Sequence, residues 1–144
     1  MSAEENKKVV RRFVEEVMNG GDLDAAAELV APDHVNRDPT APEVPDGPEC
    51  VKELIGMYRS AFPDIRFTTG EMICEGDTGA HRWTFTGTHE GALMGVEPTG
   101  RRVEVAGVEM NRVENGRISA SWTVSDALGL MNQLGLTTSP EEGS

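Results

Sequence analysis

Cysteine, aromatic residues and long apolar runs are all scarce in this chain of 144 residues, and each scarcity removes a class of explanation. The two cysteines, Cys50 and Cys74, fall in different predicted elements without the spacing of a zinc site. The reading is therefore of a fold without disulfide or metal, its thiols inert. No stretch approaches the ~20 apolar residues that a membrane span needs, and the first six residues lack the basic and then apolar pattern of a secretory leader. A cytoplasmic protein is expected. Basic residues are outnumbered, 13 against 25 acidic, and the net charge of −12 argues against nucleic acid and against anionic membrane surfaces as partners. Also missing are a Gly-rich phosphate loop, a Ser nucleophile elbow and a Cys/His pair with a local signature. The histidines, His34, His81 and His89, are spaced too irregularly for a metal site.

What is present is an ordered change of period. Ser2 and Glu5 form a capping box, after which Val10, Phe13, Val14, Val17 and Met18 fall at helical spacing. That helix should stop at Asn19-Gly20-Gly21, and Asp22 should cap a second one through Leu29. Pro32 to Pro48 is rich in Pro, Asp and Asn and reads as a long irregular loop. Pro48 suits a first helical turn, and Val51, Leu54, Ile55, Tyr58 and Phe62 mark a third helix ending at Pro63-Asp64. The pattern then turns to strands: Ile65 to Cys74, Ala80 to Thr88, Arg102 to Val113 and Arg117 to Ser125, with Asn115-Gly116 as the clearest hairpin signal. Leu128 to Leu136 suits a short helix, and Thr137 to Ser144 should be a disordered tail. Helices followed by antiparallel strands predict one α+β domain over 1–136.

A strongly curved sheet wrapped over three helices would leave a cone whose wide end can hold a ligand. Along the second predicted strand His81, Trp83 and Phe85 share a face. On the third, Val103 and Val105 have one parity and Val108 and Met110 the other, which predicts a bulge near Ala106-Gly107. On the last, Ile118, Ala120, Trp122, Val124 and Asp126 share a parity, so Asp126 would point inward with an apolar face. A carboxylate placed there must pair, protonate or do chemistry. It also precedes Ala127-Leu128-Gly129 and could cap the terminal helix, a reading that spacing alone favours. His89, closing Gly87-Thr88-His89 at a strand end, is placed where side chains reach a pocket mouth. Trp83 and Trp122 suit core or ligand platform, and Arg112 suits a solvated hairpin or, if turned inward, an oxygen-binding role.

Several strings converge on a known pattern: Asn6-x-x-Val9-Val10-Arg11-Arg12-Phe13, Gly21-Asp22-Leu23-Asp24, Ala31-Pro32-Asp33-His34-Val35-Asn36, Ala61-Phe62-Pro63-Asp64, Arg82-Trp83-Thr84-x-x-Gly87-Thr88-His89-x-Gly91, Pro98-Thr99-Gly100-Arg101, and Trp122-x-x-x-Asp126-x-x-Gly129-Leu130-x-x-Gln133-Leu134-Gly135. Together, over nearly the whole chain, they resemble the SnoaL-like polyketide cyclase, or ester cyclase, family of the NTF2-like superfamily. The resemblance implies an α+β barrel cone with its pocket between sheet and helices, a homodimer or higher homo-oligomer, and no metal or organic cofactor. It also implies a single Asp on the last strand as general acid/base for an intramolecular aldol ring closure, which maps onto Asp126. One departure stands out: where relatives often carry a second histidine after His34, this chain has Arg37.

The expected function is ring closure of an aromatic polyketide ester or similar polycarbonyl substrate. Asp126 is the expected base, Trp83, Met110 and Trp122 the clamp on a flat substrate, and Asn36, His89 and Arg112 the groups that polarise its oxygens. The alternatives keep the fold: another NTF2-like enzyme (polyketide hydroxylase component, isomerase, dehydratase or epoxide hydrolase), or a non-catalytic module that binds a hydrophobic small molecule.

Overall fold

The computed structural model describes residues 2–39, 46–93 and 95–136. Residues 40–45 of the Pro-rich loop and the expected tail (137–144) lie outside the described residues.

Helix α1 (Ala3–Arg12) begins where Ser2 Oγ accepts from the Glu5 amide, 3.1 Å. It runs on without a break as π-helical turns over Phe13–Asn19. This widening was not predicted from the 3.6-residue spacing, and it presents Phe13, Val14 and Met18 to the interior of the domain. Asn19 then clasps the Phe67 backbone, donating to its carbonyl at 2.9 Å and accepting from its amide at 2.6 Å. Helix α2 (Leu23–Leu29) is capped by Asp22, whose Oδ1 accepts from the Asp24 and Ala25 amides. Helix α3 (Pro48–Ala61) starts on its proline and buries Cys50, Val51, Ile55 and Ala61.

The strands are β1 (Val30–Arg37), β2 (Arg66–Glu75), β3 (Thr78–Thr88), β4 (Arg102–Glu114) and β5 (Arg117–Ser125), and a last helix, α4 (Ala127–Gln133), follows. The sheet order is β1-β5-β4-β3-β2. Four neighbours in sequence pair antiparallel as expected, but β1 adds a fifth strand, parallel to β5. Its sequence, Val30-Ala-Pro-Asp-His-Val-Asn-Arg37, reads as loop because of Pro32. An edge strand tolerates a proline, since only one side of it needs ladder donors, and the β1–β5 register is irregular between Val30 and Val35.

Two further expectations are corrected. The β3–β4 ladder runs in unbroken register from Thr78–Arg112 to Thr88–Arg102, so there is no bulge at Ala106-Gly107. Val103, Val105, Glu109, Asn111 and Val113 all face inward, whereas Val108 and Met110 face outward and are exposed. The bulge lies instead in β5: Val113 pairs with Ile118 and Arg112 with Ala120, leaving Ser119 as the extra residue. That one residue inverts the alternation. Ile118 is inward before it, but Ser121, Thr123 and Ser125 are inward after it, and Trp122 and Val124 point out.

The core therefore sits between the inner sheet face and the helices. Its aromatic centre is Phe62, Phe67 and Phe85, with Trp83 stacked on Phe85 at 6.3 Å and 13°.

Candidate active site

Helices and sheet do not close on one another completely. They leave a cavity of about 220 Å³ walled by the π-helical turns, α3, the loop carrying Leu93 and Val96, α4 and the inner face of all five strands. Most of its lining is apolar: Phe13, Val14 and Met18 on one side, Phe67, Trp83 and Phe85 on the other. The sheet register lays its remaining side chains out in rows. Trp83, Gly107 and Ser125 form one row, and the glycine is required there, because a Cβ at 107 would overlap the Trp83 ring. The next row is His81, Glu109 and Thr123, and the one beyond it Asn111, Ser121 and Asn36.

Glu109 and Thr123 of one row and Asn111 and Ser121 of the next form one polar network that continues to His34. Thr123 Oγ1 donates to Glu109 Oε2 at 2.8 Å, and Asn111 Nδ2 donates to Glu109 Oε1 at 2.9 Å. Asn111 Nδ2 also reaches Ser121 Oγ at 3.1 Å, which in turn meets His34 Nε2 at 3.0 Å. The Ser121 hydroxyl, one donor with two acceptor lone pairs, thus links the Asn111 amide to the imidazole. Burial pushes both imidazoles below the ordinary histidine range, opposed at His34 by Asp46 and Asp33 and at His81 by Glu109. Both rings are therefore neutral near pH 7. Two buried atoms of the network, His34 Nδ1 and Asn111 Oδ1, have no hydrogen-bond partner. Tyr58 of α3 also lines the cavity, its phenol held protonated by burial. Cys50 lies in the same wall, and burial drives its thiol up to about 12, which removes it as a nucleophile. Among the described residues, no three His, Cys, Asp or Glu side chains are grouped so as to hold a metal ion.

The structure divides the residues expected from sequence. Asn36 and Trp83 line the cavity. His89 does not: it is fully buried, its Nδ1 accepts from the Thr99 amide at 3.1 Å, and its ring packs on Phe62, so it pins the 89–101 loop. Met110, Arg112 and Trp122 are on the outer sheet face, put there by the unbroken β4 register and the Ser119 bulge. Arg112 lies over the Trp122 ring at 5.9 Å, and that cation–π contact replaces the expected inward contact with substrate. Asp126 caps α4, Oδ1 accepting from the Gly129 amide at 2.8 Å, and its side chain is exposed. Its chain neighbours Ser125 and Ala127 both line the cavity, so Asp126 stands at the rim.

The residues the sequence reading passed over are Glu109, Asn111, Ser121 and Thr123, together with the roles of His34 and His81. A signal for two of them was present. Val103, Val105 and Val113 share a parity with Glu109 and Asn111, so two polar residues sit mid-strand on a core face.

A mixed sheet curved over helices, enclosing an apolar cavity with a polar floor, defines an NTF2-like small-molecule domain. The sequence pattern of SnoaL-like polyketide cyclases matches residues 8–134, and the chain belongs to that family. It is 28% identical over 126 residues to the nogalonic acid methyl ester cyclase of Streptomyces nogalater, covering 87% of this chain and 94% of that one. Among solved structures it is similar to IdmH of Streptomyces antibioticus, a proposed polyketide cyclase, with 36% identity and a TM-score of 0.80 over 90% of this chain and 98% of that one. It is also similar to AclR of Streptomyces galilaeus, a proposed hydroxylase, with 30% identity and a TM-score of 0.82 over 96% and 85% of the two chains.

Proposed function

We propose that this protein is an enzyme that closes a ring in a polycarbonyl ester by an intramolecular aldol reaction. The observation that carries the reading is a cavity whose sheet wall sets the stacked rings of Trp83 and Phe85, with Phe67 edge-on to Trp83, beside one compact cluster of proton-handling side chains. A hydrogen between two carbonyls is already acidic, so one carboxylate held beside it is enough to form the enolate. The wall excludes water and folds the chain of carbonyls so that the enolate carbon meets an internal ketone. Family membership supports the same chemistry, as does likeness to an enzyme named for cyclising nogalonic acid methyl ester.

The test is turnover of that ester by the purified protein. A product of unchanged mass with one additional ring is the expected result. Gain of one oxygen would move the assignment to hydroxylation, the direction in which AclR points. Tight binding without turnover would make the domain a carrier.

A second copy of the chain is the proposed partner. Val108 and Val124 face each other across β4 and β5 on the outer sheet face and are 51% and 67% exposed, with Met110 and Trp122 paired beside them.

A further inference from the structure

We propose that Glu109, not the rim carboxylate Asp126, is the acid–base group of this cavity, that His81 opposite it polarises the accepting carbonyl, and that Thr123 and Asn111 are positioning residues. The inference rests on the reading of the cavity as the place of ring closure and names the side chains that do the work.

Four observations carry it. Glu109 is brought to the cavity by the middle strand of the five, with His81 its direct partner on β3 and Thr123 its direct partner on β5. Each of its oxygens is held by one side-chain donor, Thr123 at 2.8 Å and Asn111 at 2.9 Å. A carboxylate accepts about four hydrogen bonds, so this one is fixed in orientation and still has lone pairs to offer. Its surroundings include a cavity-lining histidine, His34, whose buried Nδ1 has no hydrogen-bond partner and is left for a polar group of a ligand. Asp126, by contrast, has an oxygen engaged by the Gly129 amide and its side chain in solvent.

The step balances without any co-reactant. Glu109 takes the proton from the carbon between two carbonyls, and the electron pair of that C–H bond becomes the enolate. The enolate carbon forms a bond to the internal ketone carbon, whose C=O π pair moves onto oxygen. His81, neutral because it is buried, donates a hydrogen bond to that oxygen, and the protonated Glu109 returns its proton to the alkoxide. The other titratable groups that line this cavity are His34 from β1, Asp38 beyond β1, and Cys50 and Tyr58 from α3; the π-helical turns bring Phe13, Val14 and Met18.

The experiment uses the full chain and nogalonic acid methyl ester in D2O, reading ring closure and deuterium entry at the α-carbon separately. Glu109→Gln should lower both rates about 10²- to 10⁴-fold with an unchanged melting temperature. Thr123→Val should lower kcat more than it raises KM and shift the pH profile, and Thr123→Ser should restore both. Deuterium entry that requires Glu109 without ring closure would overturn the cyclase reading and leave this centre standing. Ring closure within about threefold of wild type in Glu109→Gln, or lost in Asp126→Asn while Glu109→Gln retains it, would overturn the centre and leave the cyclase reading standing. Absence of both rates in the wild-type protein would overturn both.

Discussion

Burying two imidazoles beside one carboxylate ties the stability of this fold to pH. His34 and His81 both titrate below the ordinary value in the folded chain, burial being the larger cause at each. An unfolded imidazole titrates near 6.5. Between that value and the lower folded ones the unfolded chain binds more protons, so stability falls as pH falls. Thermal unfolding should therefore show a melting temperature that declines from pH 7 to pH 5, before most carboxylates protonate. Asp64 adds acid lability only later: hydrogen bonds from the Thr88 amide and hydroxyl hold its carboxyl below the usual range, so its share is lost below about pH 4. In His81→Gln the decline between pH 7 and 5 should be shallower, and an unchanged slope would place the effect elsewhere. The same residues show what could be read without a structure. His81 on a face with Trp83 and Phe85 was legible, because β3 alternates without a break. His34 was not, because its strand is disguised by Pro32 and stands only through its parallel pairing with β5.

Whole elements were mostly legible, and the failures come from single-residue irregularities. Both Ser2 and Asp22 cap the helices that their spacing predicts, and four strands lie within two residues of expectation. A bulge is different, because one extra residue reverses every side chain that follows it and no composition marks the spot. Ser119 opens a plain Ser-Ala-Ser run, so nothing in the sequence marks its role, yet it turns Trp122 out of the expected clamp and Thr123 into the cavity. Gly107 carries the opposite lesson. It drew attention as a bulge, yet the strand is regular there and the missing Cβ serves to admit the Trp83 ring. Gly107→Ala should push that ring off Phe85 and cost about 1–3 kcal/mol of stability. In a Trp122→Phe background, the remaining indole would report the displacement as a red-shifted emission accompanying the lower midpoint in urea. A midpoint unchanged from the background protein would mean that the wall accommodates the methyl group.

At the scale of the molecule, polar residues of β4 and β5 line the interior while several apolar ones lie outside, the reverse of the usual alternation. Glu109, Ser121 and Thr123 face the cavity and Asn111 is buried on the same sheet face, whereas Val108, Met110, Trp122 and Val124 face solvent. Placing apolar side chains outward in a chain of net charge −12 invites association through that face unless a partner covers it. The proposed second copy would meet the requirement, the patch of Val108, Val124, Met110 and Trp122 lying against itself across a two-fold axis. Val124→Glu places a carboxylate in the centre of the patch, and two-fold symmetry brings its counterpart close, so the charge is both desolvated and repelled. Sedimentation equilibrium should show a dimer for the wild-type chain and a monomer for Val124→Glu, with the far-ultraviolet dichroism of the fold retained, because Val124 contributes nothing to the buried core. A wild-type chain that remains monomeric at the highest concentrations would assign the exposed face to a different partner. In the dimer the two cavities would lie on the far sides of the paired sheets, each with its own Glu109. Turnover per chain should then be independent of dimerisation, which makes Val124→Glu a means of separating assembly from chemistry.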